Sequence, residues 1–389
     1  MDLNVPGNQN LRTIVLPNCK SLLIRQLVLQ YVYEGQVLEI SGRECSDVQV
    51  THRALQALTT ATGCPTETLI DVADCGAAFR FMMALLAVTP GHWKLTGTQR
   101  LLERPIEELV QVLRAIGADI RPDNDGWIIT GKALHADSLT VNCARSSQFA
   151  SALLLIAPKI GLRQLNIIPA NTGSLSYVRM TLACLREKVN VPAANYTPVK
   201  LGLSGDWSAA VFWYAMAMLD PKVAYELSGL SLSSVQGDAV TARWFAQMGV
   251  TTLEGENGIR VQATPQSAIP PRHFDVADHP DLLPVMAALA CLLPADFTFV
   301  HTRNLQFKES HRTKALCEQL APFSERIEFK EDTFRIVGKQ RALWGTPPYR
   351  FLTNHDHRLA MAFLLFGKDA LLDDTQCLGK SYPDLLSQL

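Results

Sequence analysis

No stretch of this chain stays apolar for longer than Leu282 to Leu293, and that run meets Pro294 and Asp296. A membrane-spanning helix needs about 20 apolar residues, so the run reads as a buried helix and no membrane partner is expected. The first ten residues, MDLNVPGNQN, lack a basic cluster followed by an apolar segment, so no secretory signal is expected. The nine cysteines are scattered and form no C-x-x-C pair. Cys75, Cys184 and Cys291 fall in or beside apolar helical stretches, where a thiol packs as a small hydrophobe; a reducing cytoplasm is the expected location. Charge is also scarce, at 19% of residues, and 36 basic against 37 acidic residues leave a net charge of −1. Such a balance gives no whole-chain attraction to nucleic acid. Any anion binding has to come from a local concentration of cations.

What the chain has in quantity is hydrophobic residues, 48% of 389. That length predicts two or three domains rather than one core. Six stretches share a layout, a short polar cluster followed by an apolar, Ala/Leu-rich helix. The clusters are Lys20-Ser21, Asp74-Cys75-Gly76, Ser146-Ser147-Gln148, Gly205-Asp206-Trp207-Ser208, Asp278-His279-Pro280-Asp281 and Asp356-His357-Arg358. A helix apolar on most sides belongs in a core. Its first turn carries unpaired amides and the positive end of the helix dipole, and so favours anions.

A second pattern recurs, an amphipathic helix followed by two short strands split by a turn. The turns are Asp123-Asn124-Asp125-Gly126, Gly255-Glu256-Asn257-Gly258 and Lys330-Glu331-Asp332, with helical periodicity before and hairpin residues between. Together the patterns predict an α+β fold in which sheets cover bundles of buried helices, three helices to a domain. Candidate boundaries lie near Val15 to Asn18 and near Leu203 to Gly205.

The densest charge cluster is Lys308-Glu309-Ser310-His311-Arg312. At helical spacing Lys308 and Arg312 would share a face, with Glu309 one turn before Arg312; taken alone, the cluster reads as a solvated helix start with an ordinary ion pair. Asp356-His357-Arg358 is open between a cap and an anion site. Ser21 reads as an N-cap, and Arg25 inside an otherwise apolar first turn needs a partner. Gly76 would let a ligand approach a helix start closely, although a tight strand-to-helix turn explains it equally well.

In their order along the chain, LPNCKSLLIR (17–26), DCGAAFR (74–80), LTGTQRLLERPI (95–106), SSQFASALL (146–154), SLSYV (174–178), GDWSAA (205–210), SVQGD (234–238), DHPDLLP (278–284), KESHR (308–312), DHRLAMAF (356–363) and KSYPDL (380–385) resemble the 5-enolpyruvylshikimate-3-phosphate synthase family. The resemblance spans nearly the whole chain. It implies two similar globular domains of three repeated units each, residues 1–16 with 204–389 and residues 17–203, with an active site in the interdomain cleft. The implied reaction moves the enolpyruvyl group of phosphoenolpyruvate to the 5-hydroxyl of shikimate 3-phosphate and releases phosphate, with no cofactor or metal, in a monomer. By resemblance phosphoenolpyruvate would meet Lys20, Gly76, Arg100, Gln148, Arg312, Arg358 and Lys380. Shikimate 3-phosphate would meet Lys20, Ser21, Arg25, Ser146, Ser147, Gln148, Ser174, Tyr177, Asp281 and Lys308. Lys20, Asp281 and Glu309 would carry catalysis, and Arg80 would support the Gly76 turn.

The chain departs from the family's pattern at Asp74, Ala77 and Phe81, where Asn, Thr and Pro are usual, at Leu175-Ser176, which replaces Lys-Pro, and at His311, which replaces Asp. The segment 187–204 is short, and a hairpin is expected to be missing there. Two rival readings are a degenerate homologue that binds an anionic metabolite without turnover and the sister transferase acting on UDP-N-acetylglucosamine. Lys20-Ser21 in place of a Lys-Asn pair, and no Cys-bearing loop before Arg100, weigh against the second.

Overall fold

All six predicted apolar helices begin at or within two residues of their polar clusters. The computed structural model describes residues 10–61, 66–169, 173–189, 204–265 and 268–389. The helices are α1 (Lys20–Glu34), α3 (Gly76–Ala87), α6 (Gln148–Leu155), α9 (Trp207–Leu219), α11 (Leu283–Leu292) and α13 (His357–Leu364). Between them run α2 (Ser46–Ala61), α4 (Gln99–Leu102), α5 (Glu107–Ala115), α7 (Ala157–Ile160), α8 (Leu175–Val189), α10 (Val240–Ala246), α12 (Arg312–Leu320) and α14 (Leu385–Gln388). Every α3 residue but Ala77 is buried, as are Leu283 to Cys291 of α11. Such helices have no polar face to offer water. By contrast α5 buries only Leu109, Val110 and Leu113 and starts with Glu107 and Glu108, where acids suit the helix dipole.

The chain divides into two compact units, Met1–Cys19 with Leu203–Leu389 and, inserted between them, Lys20–Gly202. Each has its own apolar core. In the first unit β1 (Asn10–Val15), β8 (Val223–Ser228), β9 (Val250–Glu254) and β10 (Gly258–Ala263) form one sheet in the order β1-β8-β10-β9. A second holds β11 (Arg272–Asp275), β12 (Asp296–Val300), β13 (Ser324–Lys330) and β14 (Thr333–Gly338) in the order β11-β12-β14-β13. In the inserted unit β2 (Thr68–Asp71), β3 (Gly91–Thr96), β4 (Asp119–Asp123) and β5 (Gly126–Gly131) repeat that order as β2-β3-β5-β4.

Each four-stranded sheet joins a parallel pair, whose second strand follows a buried helix, to an antiparallel hairpin, because parallel neighbours need a long crossover and antiparallel ones only a turn. The predicted hairpins are all present, with Glu331-Asp332 between the strands of the third. Two further parallel pairs have no hairpin among the described residues: β6 (Ser138–Asn142) with β7 (Gln164–Ile168), with α6 between them, and β15 (Tyr349–Phe351) with β16 (Ala370–Leu372), bridged by α13. Most of the short segment 187–204 lies outside the described residues. No helix among the described residues is long and apolar enough to cross a membrane.

Candidate active site

In the inserted unit Lys20 opens α1 and lies 3.0 Å from Asp47 of α2. Because α1 starts before Ser21, that serine sits in the first turn instead of capping it. Arg25, expected to need a partner, is 2% exposed. It donates to the Ser21 carbonyl at 2.7 Å, the Thr181 hydroxyl at 2.7 Å and the Ser151 hydroxyl at 3.3 Å. Its guanidinium also lies over the rings of Phe81 and Tyr177.

Gly76 begins α3, where the Cys75 sulfur accepts from Ala78 N at 3.4 Å. A Cβ on Gly76 would stand 2.6 Å from Nη1 of Arg104, so glycine is what lets this guanidinium rest against the helix start. Buried Arg80 donates to the Gly76 carbonyl at 3.1 Å and to the Pro105 carbonyl, joining the helix start to the segment that carries Arg104. Arg100, the arginine singled out from sequence, is 54% exposed and 3.6 Å from Glu103. The structure therefore brings Arg104 to Gly76. Both stand in the segment 95–106, and nothing in local spacing picks out Arg104.

At α6 the Ser146 hydroxyl accepts from Gln148 N at 3.2 Å, while Ser147 at the cap position makes no side-chain capping bond. The Gln148 Oε1 atom is buried and no donor among the described residues reaches it. A buried acceptor without a donor is costly, which suits it to a ligand hydroxyl. Ser174 stands before α8 with φ 65° and accepts from Tyr177 N at 3.2 Å.

In the first unit the expectation of a solvated helix at Lys308 to Arg312 fails. Lys308 is extended (φ −79°, ψ −163°) and ends a 3-10 turn over Arg303–Phe307. Helix α12 starts only at Arg312, capped by His311. The Arg312 side chain is 1% exposed. Its Nη1 meets Asp281 at 2.8 Å, Nη2 meets Glu309 at 2.8 Å, and Nε meets Asp356 at 2.8 Å. One guanidinium thus binds three carboxylates. Asp281 in turn lies 3.6 Å from Lys308 and 3.4 Å from Arg358.

Asp356, fully buried, caps α13 by accepting from Arg358 N at 2.9 Å and takes the Ser310 hydroxyl at 2.9 Å. Arg358 Nη1 donates to the Ser208 carbonyl at 3.1 Å, and its Nη2 is 3.9 Å from Asp206. The Gly205 helix start, to which sequence assigned no catalytic role, thereby anchors Arg358. Lys380 is buried at the end of a 3-10 turn over Gln376–Lys380.

Burial alone would raise the proton affinity of Asp281, but Lys308, Arg312 and Arg358 outweigh it and hold the carboxyl well below its usual range. Burial likewise opposes the charge on Arg312, and Asp356, Asp281 and Glu309 overcome that to hold it well above its ordinary value. Asp281 and Arg312 are therefore both charged throughout the neutral range, and the cluster's planar arginines can take carboxylate or phosphate bidentately. Asp47, Arg104, Asp206, Ser208 and Asp356 are the site residues that sequence reasoning did not single out. Asp356 and Asp206 stood in the polar clusters, where a cap and a site look alike; Asp47 and Arg104 had no local signal.

The EPSP synthase (3-phosphoshikimate 1-carboxyvinyltransferase) family model matches residues 38–389. A 3-phosphoshikimate 1-carboxyvinyltransferase of Bacteroides fragilis is 33% identical over 95% of this chain and 92% of its own. One from Dehalococcoides mccartyi is 28% identical over 100% and 96%. Among solved structures, EPSP synthase from Acinetobacter baumannii superposes with a TM-score of 0.68 at 19% identity, covering 99% of this chain and 96% of that one. The enolpyruvyl transferase NikO from Streptomyces tendae gives 0.64 at 16%, covering 98% and 95%; at these identities the two structures speak for the fold. With its match running from residue 38 to the last residue, the chain belongs to the EPSP synthase family.

Proposed function

We propose that this chain transfers the enolpyruvyl group of phosphoenolpyruvate to the 5-hydroxyl of shikimate 3-phosphate and releases inorganic phosphate. The observation that carries the reading is the Arg312 cluster, in which the two carboxylates suited to proton transfer, Asp281 and Glu309, share one buried guanidinium. Shikimate 3-phosphate is assigned to Ser21, Arg25, Ser146, Ser147, Gln148, Ser174, Tyr177, Lys308 and Asp281. Phosphoenolpyruvate is assigned to Lys20, Gly76, Gln148, Arg312, Arg358 and Lys380. Arg104 joins the second set in preference to Arg100, because its guanidinium rests on Gly76.

In the addition step the 5-oxygen bonds to C2 of phosphoenolpyruvate and Asp281 takes the hydroxyl proton. Glu309 gives a proton to C3, and the methylene becomes a methyl. In the elimination step Glu309 takes a methyl proton back, the C2=C3 bond re-forms, and the C2–O bond to phosphate breaks with Lys20 stabilising the departing charge. Fixed cations can supply the charge stabilisation that such steps need.

An anionic substrate competes with Asp281 for Arg312, Arg358 and Lys308. A carboxylate that loses cations gains proton affinity, so the base would strengthen as its substrate binds. The family resemblance supports small anionic substrates and a monomer, and the scattered cysteines support a reducing cytoplasm.

Phosphate release from phosphoenolpyruvate in the presence of shikimate 3-phosphate tests the reading. Stoichiometric release is expected, and no release would sink it. Glu309→Gln should lower kcat about 100-fold or more with KM within about threefold, the signature of a group used in proton transfer. A change confined to KM would remove Glu309 from that role.

A further inference from the structure

Consecutive residues of α3, Arg80 and Phe81, have different partners. Arg80 reaches the Gly76 and Pro105 carbonyls beside Arg104. The next residue, Phe81, is 1% exposed, and the Arg25 guanidinium carbon stands 5.3 Å from its ring centroid. Arg25 also donates three hydrogen bonds, to the Ser21 carbonyl, to the Thr181 hydroxyl and, at a longer 3.3 Å, to the Ser151 hydroxyl. All three acceptors are neutral oxygens. The Thr181 hydroxyl is itself tied to the Tyr177 carbonyl at 3.0 Å.

The ring faces of Phe81 and Tyr177, 5.3 Å and 5.9 Å from the guanidinium carbon, add to those bonds in holding its orientation. The face of a phenyl ring is its negative side, and a cation within about 6 Å of the centroid is attracted to it, more strongly where both are dry. Leucine would fill much the same space without that attraction.

We propose that Phe81 is a positioning residue for Arg25, setting the plane in which that guanidinium meets the anionic groups of shikimate 3-phosphate; this rests on the proposed function. The ring, 1% exposed, would act through Arg25 and not on the substrate directly. Its effect should be confined to the substrate that Arg25 serves and should track the electrostatics of the ring rather than its volume.

The test replaces Phe81 in the full chain with mono-, di- and trifluorinated phenylalanines, which weaken the negative ring face with little change of shape, and with leucine. Shikimate 3-phosphate binding is measured by titration calorimetry, steady-state kinetics give KM for each substrate, and thermal melts check folding. The dissociation constant for shikimate 3-phosphate is expected to rise stepwise with fluorination, to about fivefold for Phe81→trifluorophenylalanine, and further for Phe81→Leu. KM for phosphoenolpyruvate and the melting temperature of the fluorinated variants should stay close to wild type. Equal binding by the trifluorinated and wild-type proteins would overturn the proposal, as would parallel losses for both substrates. A wild type that binds no shikimate 3-phosphate would overturn the enzymatic reading and this proposal with it, whereas a wild type that binds it leaves the two distinguishable.

Discussion

Arg312 shows how a single residue changes meaning between sequence and structure. By spacing it is the end of an i,i+3 pair with Glu309, a contact of small worth on a wet helix surface. In the fold it is a buried cation shared by Asp281, Glu309 and Asp356, and removing any one partner leaves charge uncompensated. Asp281 offers a test through pH. Its carboxyl is held below the usual range by Lys308, Arg312 and Arg358 against the cost of burial. A depressed carboxylate adds stability above the unfolded-state value of about 3.9, and that stability is lost as pH falls through the lower folded-state value. Urea denaturation at several pH values should therefore find Asp281→Asn less stable than wild type at pH 7, with the gap closing below about pH 4. A gap that widens on acidification would contradict the depressed value. Asp281 and Glu309 were legible as acids in charged motifs. Their common cation was not, because Asp281 and Arg312 come from different elements and no local period links them.

At the scale of elements, helix starts and hairpin turns were legible because caps and turns are local chemistry. Asp206 and Asp356 accept from amides two residues on, which short polar side chains do readily at a helix start. The hairpins follow from their turn residues for the same reason. What stayed hidden is how closely sheets approach the buried helices. A Cβ at Gly131, the last residue of β5, would collide with the carbonyl oxygens of Leu86 in α3 and Thr89 just after it, and one at Gly338, the last of β14, with the Ala290 carbonyl of α11. Backbone meets backbone there, so no side chain can yield. Gly131→Ala and Gly338→Ala should each cost about 1–3 kcal/mol, the range for overpacking, read as a lower urea midpoint with unchanged slope. A loss under 0.5 kcal/mol would show that the sheets can move away. The corresponding strand end of β10 is Ala263, so the glycine is dictated by the local gap and not by the repeat.

For the molecule as a whole, the inserted unit joins the other between β1 and α9 and carries an apolar core of its own, from Leu23 and Ile24 of α1 to Val178 and Cys184 of α8. A chain of 183 residues, 20–202, is large enough to bury a self-sufficient core. Expressed alone it should unfold in one cooperative thermal transition by far-ultraviolet circular dichroism. A broad, sloping melt would show that its stability depends on the rest of the chain. The number of buried helices, their starts, the three hairpins and the α+β class were determined by the sequence itself, because each rests on contacts between residues a few positions apart. The tertiary structure alone decided that Arg104 meets Gly76, that Phe81 lies under Arg25, and that Asp356 ties Arg312 to α13. Each of those contacts joins residues from separate elements, and their distance depends on how close-packed helices and sheets settle against one another, which no periodicity within a segment records.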